Sequence, residues 1–467
     1  WPYPVTQYTS SGIARDNWMR PWSIIKVDTE RADPIITAHF YGADSEALDT
    51  TWSNDPNLRC SSIQGVNRWE EARCTETIRL SDLTPPGVQV PDTVTAPDSE
   101  EDKEPPAPHS NIDFSKTDYT VGTYYYPWYG NDNFNGRNYL RAELSPPQYP
   151  TLGEYDQRNE ETITQHLKWS QQANINLWVT SWWGPDSATN RNTIAIMDSA
   201  YMEESKIKLA LFYEIHGRIP DGDVSNVYGD ISYAAKNYFG DPNYYKIDGK
   251  PVFYIYLARA LHEMRKLDDA VNEMRRAALD NGFNIYLVGD MAHSNPPQGY
   301  YAPFDWLDAI TEYDVFGSMD RPDYAGDDNR VEFYRNKQEN WRQAAHSQNC
   351  DFIPSITPGY NDKGVRDAGY SSMSRKLTRN SEFGSLFQAL LNNAVGQVDS
   401  AVDNAFMVTS FNEWHEDTQI EPIVGDLTNQ PYSHTSGKEY EAYGTRYLDM
   451  LRDGTKRTGV SVEPQKR

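Results

Sequence analysis

Ala405-Phe406-Met407-Val408-Thr409-Ser410-Phe411-Asn412-Glu413-Trp414-His415-Glu416-Asp417-Thr418-Gln419-Ile420-Glu421-Pro422 joins an apolar run to a burst of polar residues. The run at 405–408 is short and β-prone, and reads as a buried strand. The polar residues begin where that strand should end. Glu413 and Glu416 stand three apart, so a helical turn there would put both carboxylates on one side. Two glutamates at that spacing usually make a solvated helix face. These two are interleaved with Trp414 and His415 and preceded by Asn412, which is an odd choice for a surface that only meets water. Two carboxylates at a strand end among aromatic rings suit glycoside hydrolysis, where one acid protonates the leaving oxygen and the other serves the anomeric side.

Upstream, apolar strand-like runs alternate with amphipathic ones. Strands are expected over 121–126, 177–181, 208–213, 252–256, 285–288, 309–312, 352–356 and 405–409. Helices are expected over 160–173, 193–204, 232–239, 257–280, 331–347 and 382–393. This alternation, about eight strands long, predicts a (β/α)8 TIM barrel over 114–467. An open doubly wound sheet is the alternative, but no glycine-rich nucleotide fingerprint follows the first strand. In a barrel the active site lies at the C-terminal ends of the strands. There the sequence places Tyr126 and Trp128 after strand one, Trp182 and Trp183 after strand two, and Glu214 with His216 after strand three. Asp290 and His293 follow strand five, Glu312 and Tyr313 strand six, and Tyr360 strand seven; Asn412, Glu413, Trp414, His415 and Glu416 follow strand eight. Acids, amides and rings thus gather at one rim, as the lining of a sugar cleft requires.

Residues 1–90 read differently. Runs at 33–41 and 75–80 are strand-like, the rest is turn-rich, and a small, mostly β N-terminal module is expected. Its Trp18, Trp22, Trp52 and Trp69 are candidates for sugar binding or for core packing. The acidic, proline-rich stretch 91–113 reads as an extended linker. Cys60 and Cys74 are close enough in sequence to pair, leaving Cys350 over, and no metal-ligand spacing is visible. The 467-residue chain carries a net charge of −25, which argues against nucleic acid and anionic membranes as partners. No membrane span or N-glycosylation sequon is visible, and the opening on Trp1 reads as a processed product. A secreted, cell-surface or periplasmic protein is expected. Oligomeric state is left open.

The stretch quoted first resembles the catalytic segment of glycoside hydrolase family 99, the endo-α-mannosidase family, which reads Asn-Glu-Trp-His-Glu-Gly-Thr-Gln-Ile-Glu-Pro. Asp417 stands here in place of the glycine. The resemblance runs from about 121 to 422. Tyr124-Tyr125-Tyr126-Pro127-Trp128-Tyr129-Gly130 is similar to the family's opening segment, and Val179-Thr180-Ser181-Trp182 to its second strand. Asp248-Gly249-Lys250-Pro251 and the strand after it, and Ile353-Pro354-Ser355-Ile356-Thr357-Pro358-Gly359-Tyr360, have similar counterparts. Ile215-His216-Gly217 departs from the family pattern, and the loops near 131–137 and 323–329 have no counterpart.

The resemblance implies a retaining, endo-acting hydrolase of α-mannosides or related α-glycans. It implies that Glu413 takes a proton from the sugar 2-hydroxyl, giving a 1,2-anhydro sugar, and that Glu416 protonates the leaving oxygen and then activates water. It matches Glu214 and Tyr313 to substrate-binding positions. This chemistry calls for no cofactor and no metal. Two alternatives stand beside it: an α-glucanase-type barrel glycosidase with Glu214 or Glu312 as partner acid, and a glycan-binding or structural cell-surface protein that keeps the barrel without turnover.

Overall fold

The computed structural model describes residues 117–457, apart from 131–133, 135–138, 320–326, 367–371, 425–426, 431–434 and 436, together with the backbone of four N-terminal strands. The chain divides into two compact units, Trp1–Asp102 and Lys103–Arg467. In the first, β1 (Trp22–Asp28), β2 (Ile35–Tyr41), β3 (Ser62–Ile63) and β4 (Cys74–Arg79) form an antiparallel sheet in the order β1-β2-β4-β3. The expected pairing of Cys60 with Cys74, the roles of Trp18, Trp22, Trp52 and Trp69, and the linker at 91–113 lie outside the described residues.

The second unit is built on β5 (Val121–Tyr125), β6 (Leu177–Trp182), β7 (Lys208–Tyr213), β8 (Lys246–Ile247), β9 (Lys250–Ile255), β10 (Tyr286–Asp290), β11 (Ala309–Thr311), β12 (Asp351–Phe352), β13 (Ser355–Ile356) and β14 (Phe406–Val408). The parallel order is β12-β11-β10-β9-β7-β6-β5-β14-β13. The expected seventh strand is therefore split. β12 pairs with β11 on one side and β13 with β14 on the other. Between them Ile353 N donates to Ile310 O at 2.9 Å, and Pro354 O accepts from Met407 N at 2.8 Å, so the two sheet ends meet and the barrel closes. Pro354 has no N–H and cannot continue a two-sided ladder, which is where the strand breaks. β8 is a short antiparallel addition on β9. Its two-residue turn, Asp248-Gly249, has φ of 49° and 74°. That is the twist a tight hairpin needs, and Asp-Gly tolerates it.

The strands are buried along almost their whole length because helices cover the outside and rings fill the inside. A Cβ on Gly122 would run into the Met407 sulfur, so glycine makes room for it, and Tyr254 Oη lies 3.8 Å from that sulfur. Above this layer Tyr124, Phe212, Tyr256 and Tyr313 interlock, with Tyr124–Phe212 centroids 4.6 Å apart and Tyr256–Tyr313 at 5.3 Å. Such ring pairs contribute about 0.5–1.5 kcal/mol each beyond the area they bury. They make a floor beneath the C-terminal mouth.

The helices differ in detail from expectation. The run at 257–280 is two helices, Ala258–Glu263 and Leu267–Asp280, because Arg265 takes a left-handed φ of 58° between them. The run at 193–204 also resolves into two, Ala188–Met197 and Met202–Ser205. The run at 232–239 begins earlier, as Val227–Ala234, and ends in a wider π-type turn, Ala235–Phe239. Among the described residues no helix is long and apolar enough to cross a membrane.

Candidate active site

After β14 the chain makes a closed excursion. Ser410 N donates to Thr418 O at 2.9 Å, and Glu421 N to Phe411 O at 2.9 Å, pinching its base. Phe411 N donates to Tyr124 O at 2.8 Å and ties it to β5. Inside the excursion Trp414–Glu416 form one 3-10 turn with Glu413 as its N-cap. Glu413 and Glu416 thus bracket this single turn, one as its cap and the other as its last residue.

Glu413 is 2% exposed. Its Oε1 accepts from His415 N at 3.0 Å, a capping bond, and lies 3.2 Å from His415 Nδ1. Its own N–H donates to Ser410 Oγ at 2.8 Å. The His415 Nε2 faces Phe134 O at 3.2 Å, so that nitrogen carries a proton, and the ring is layered on Tyr129 and flanked by Trp128. Glu416 is more open, its side chain 19% exposed. Tyr313 Oη donates to its Oε2 at 3.1 Å, and Arg366 Nη1 lies 3.4 Å from its Oε1. Burial, and next the charge of Glu413, push the Glu416 carboxyl up to about 7, against the opposing pull of Arg366 and Tyr313. Burial holds the Tyr126 and Tyr313 phenols well above their ordinary range, so both remain donors: Tyr126 Oη to Tyr313 Oη at 2.6 Å, and Tyr313 on to Glu416.

Glu214, at the end of β7, accepts from Ser181 Oγ at 2.7 Å and is 4% exposed. Burial pushes its carboxyl up to about 8; Ser181 opposes the shift, while Glu413 and Glu416 add to it. The three acids are near enough for their charges to act on one another, and each also raises the Tyr126 phenol. Asn412 is fully buried and holds β5 to the excursion, its Oδ1 accepting from Tyr126 N at 2.8 Å and its Nδ2 donating to Tyr126 O at 3.1 Å. Trp128 stays partly exposed, tilted over Tyr126 at 4.6 Å. Trp183 is also partly exposed and donates to Ser181 Oγ at 3.2 Å. Tyr360 stacks flat on Phe316 at 4.0 Å, with Arg366 3.3 Å from its hydroxyl.

Two expected sugar contacts sit elsewhere. Trp182 is fully buried, donating to Asn190 Oδ1 at 2.8 Å, and Trp414 is buried, donating to Glu421 Oε2 at 2.8 Å. Neither ring offers a free face; both are packing residues behind the rim. Glu312, the alternative partner acid, is gripped by the buried Lys337 at 2.6 and 2.8 Å and by Ser318. A carboxylate so occupied does not reach a substrate.

Sequence reading missed the support. Glu421 is fully buried and accepts from Tyr155 Oη at 2.9 Å and from Trp414, while His166 Nε2 lies 3.2 Å away. His166 Nδ1 in turn meets Tyr125 Oη at 2.8 Å. A glutamate between apolar Ile420 and Pro422 was the available signal. Asp290 accepts from both Leu257 N at 3.0 Å and Tyr313 N at 2.9 Å, which fixes the backbone of Tyr313 under the site.

The sequence model of glycosyl hydrolase family 99 matches residues 137–292 and 329–453. The chain belongs to that family. It is a glycoside hydrolase. The match includes Glu214, Glu413 and Glu416 and leaves out Tyr126 and Tyr313. The chain is 26% identical over 376 residues to the glycoprotein endo-alpha-1,2-mannosidase of Mus musculus, covering 72% of this chain and 74% of that protein. The glycoprotein endo-alpha-1,2-mannosidase-like protein of Homo sapiens is 27% identical over 348 residues, covering 65% of this chain and 69% of its own. The solved family 99 endo-alpha-mannosidase of Bacteroides thetaiotaomicron shares the fold at a TM-score of 0.52 and 22% identity, over 72% of this chain and 96% of that one.

Proposed function

We propose that this endo-acting glycoside hydrolase cleaves α-mannosidic linkages with retention, through a 1,2-anhydro sugar formed by the substrate's own 2-hydroxyl. The observation that carries the reading is the unequal pair. Glu416, pushed up to about 7, holds a proton near neutral pH, while Glu413 beside it accepts a hydrogen bond from the turn it caps. Glu413 removes the proton of the 2-hydroxyl, and that oxygen bonds to the anomeric carbon. The bond to the leaving oxygen breaks as Glu416 donates its proton. Glu416, now a carboxylate, takes a proton from water. The water oxygen attacks the anomeric carbon, the three-membered ring opens, and the 2-oxygen recovers its proton from Glu413. Two inversions give net retention.

The route selects its sugar. In an α-mannoside the 2-oxygen and the leaving group are trans, so the oxygen can attack from behind; in an α-glucoside they are cis and it cannot. The relatives' names support the same choice. Glu214, protonated at neutral pH, and the partly exposed rings of Trp128 and Trp183 are the groups we assign to holding the sugar. We further assign the activity to polysaccharide degradation outside the cytoplasm, supported by the chain's net charge of −25.

Incubation with α-mannans and α-glucans, with products followed by proton NMR, tests the reading. Release of oligosaccharides from the mannan with retained anomeric configuration is expected. Cleavage of α-glucan alone, or inversion, overturns it.

A further inference from the structure

The residue after the acid is Asp417, at the position where the family motif has glycine. It takes a left-handed φ of 51°, which aspartate adopts less readily than glycine. Something must hold it there. Its Oδ1 accepts from Arg141 Nε at 2.5 Å and from Gln419 Nε2 at 3.2 Å, and lies 3.4 Å from Arg375 Nη2. The same Arg375 nitrogen donates to Asp417 O at 2.8 Å and to Gln419 O at 3.0 Å. All three charged side chains are more than nine-tenths buried. The guanidinium groups are interleaved with rings: Arg141 lies 5.1 Å from Tyr440 and 5.3 Å from Tyr443, and Arg375 lies 4.8 Å from Tyr443 and 5.0 Å from Tyr447. Tyrosine faces help compensate the two cations, which share the Asp417 carboxylate.

We propose that Arg141, Asp417 and Arg375 form a buried brace whose work is to position the catalytic acid Glu416. The brace draws on three segments outside the barrel strands. Arg141 comes from the turn Leu140–Glu143, Arg375 from the loop after β13, and the rings from the C-terminal segment that holds Tyr440–Glu441. The β13 loop touches Glu416 again: Asn361 N donates to Glu416 O at 2.8 Å, and Arg366 meets its carboxylate. One loop thus grips the acid from below through Asp417 and at the mouth through Arg366. These are positioning residues, and none of the three touches the reacting atoms in the proposed route. The proposal rests on the assignment of Glu416 as the acid.

The test compares a mannooligosaccharide with the corresponding glycosyl fluoride, whose leaving group needs little protonation. Asp417→Gly suits the left-handed backbone and removes the carboxylate. A displaced acid should cost about 10²-fold in kcat on the oligosaccharide. The fluoride should lose less than about tenfold, because protonation matters little to it. Arg375→Lys keeps the charge but not the fork, and should give a smaller loss with the same preference. A second readout needs no substrate. Glu416 is faced by Glu413, Asp314, Arg366 and Tyr313, and its charge also acts on Glu214, Tyr126, Tyr256 and Tyr360. Arg375→Lys keeps the charge, so a shift in the Glu416 titration followed by carbon-13 NMR in that variant reports a moved carboxyl. If both variants keep the wild-type ratio between substrates and the titration is unmoved, the brace is scaffold only, whatever the change in Tm. If wild type cleaves neither substrate, the proposed activity falls, and the titration alone decides the brace.

Discussion

Glu413 and Glu416 are three residues apart in one turn and occupy different surroundings. Glu413 is enclosed: a backbone N–H and an imidazole face its Oε1, and no cationic Lys or Arg side chain is seen bonded to it among the described residues. Glu416 sits at the mouth, 19% exposed, between a phenol and a guanidinium. The difference arises from how the turn begins. As N-cap, Glu413 folds back on its own turn, whereas Glu416 is at the turn's end and leans on the loops after β11 and β13. Local chain geometry thus gives two identical side chains two jobs. In the proposed route one is held in place to receive a proton, and the other is open enough to exchange it with water.

Breaking the enclosed member should cost most. In the proposed route Glu413→Gln removes the base that acts on the 2-hydroxyl, and no leaving group replaces it. Rates on the oligosaccharide and on the glycosyl fluoride should both fall by about 10⁴-fold or more. A substrate lacking the 2-hydroxyl should bind and resist cleavage. A glycosyl ester on Glu413 seen by mass spectrometry would show a nucleophile instead of a base.

Breaking the open member should cost less, and selectively. Glu416→Gln should lower cleavage of the oligosaccharide by about 10²–10⁴-fold and spare the fluoride in part. In the wild type the basic limb of the kcat/KM profile should fall near pH 7, because the proton on Glu416 is lost as pH rises through about 7. A basic limb that survives in Glu416→Gln would assign it to another group.

The third acid sharpens the contrast through stability. The Glu214 carboxyl lies at about 8 in the folded chain, far above the ordinary glutamate range. A carboxyl raised in this way favours the folded state while it is protonated, and that contribution is lost as pH rises through about 8. Glu214→Gln cannot ionise. Its Tm should decline less than the wild type's between pH 6 and pH 9, followed by calorimetry. Equal declines would mean that Glu214 ionises without cost.

How much of this was legible depended on range. The barrel was readable because each apolar run announces itself over four to six residues, and the polar excursion because its acids and rings are contiguous. The split of the seventh strand at Ile353-Pro354 was written in a proline, yet its meaning depends on β11 and β14 being the neighbours. The break of the long helix at Arg265 had no glycine or proline to mark it. Ring roles were misjudged for the same reason: Trp182 and Trp414 stand beside true rim residues in sequence, and only Asn190 and Glu421, brought in by the fold, show that they point away. Asp417 was visible as a departure. Its partners, Arg141 and Arg375, lie 276 and 42 residues away, and no local pattern joins them.

The smallest expected effect tests the direction of the phenol chain at the open acid. Tyr126 Oη donates to Tyr313 Oη, which donates to Glu416 Oε2. A hydrogen bond to the ionised form favours it, and the Tyr313 bond indeed opposes the upward push on Glu416. Tyr313→Phe removes that bond, so Glu416 should hold its proton to higher pH and the basic limb of kcat/KM should move up. Tyr126→Phe leaves the bond in place but takes away the donor that polarises Tyr313, an influence of about 10–30% per bond in such chains. Its shift should be in the same direction and smaller. A larger shift for Tyr126→Phe than for Tyr313→Phe would reverse the order of the chain.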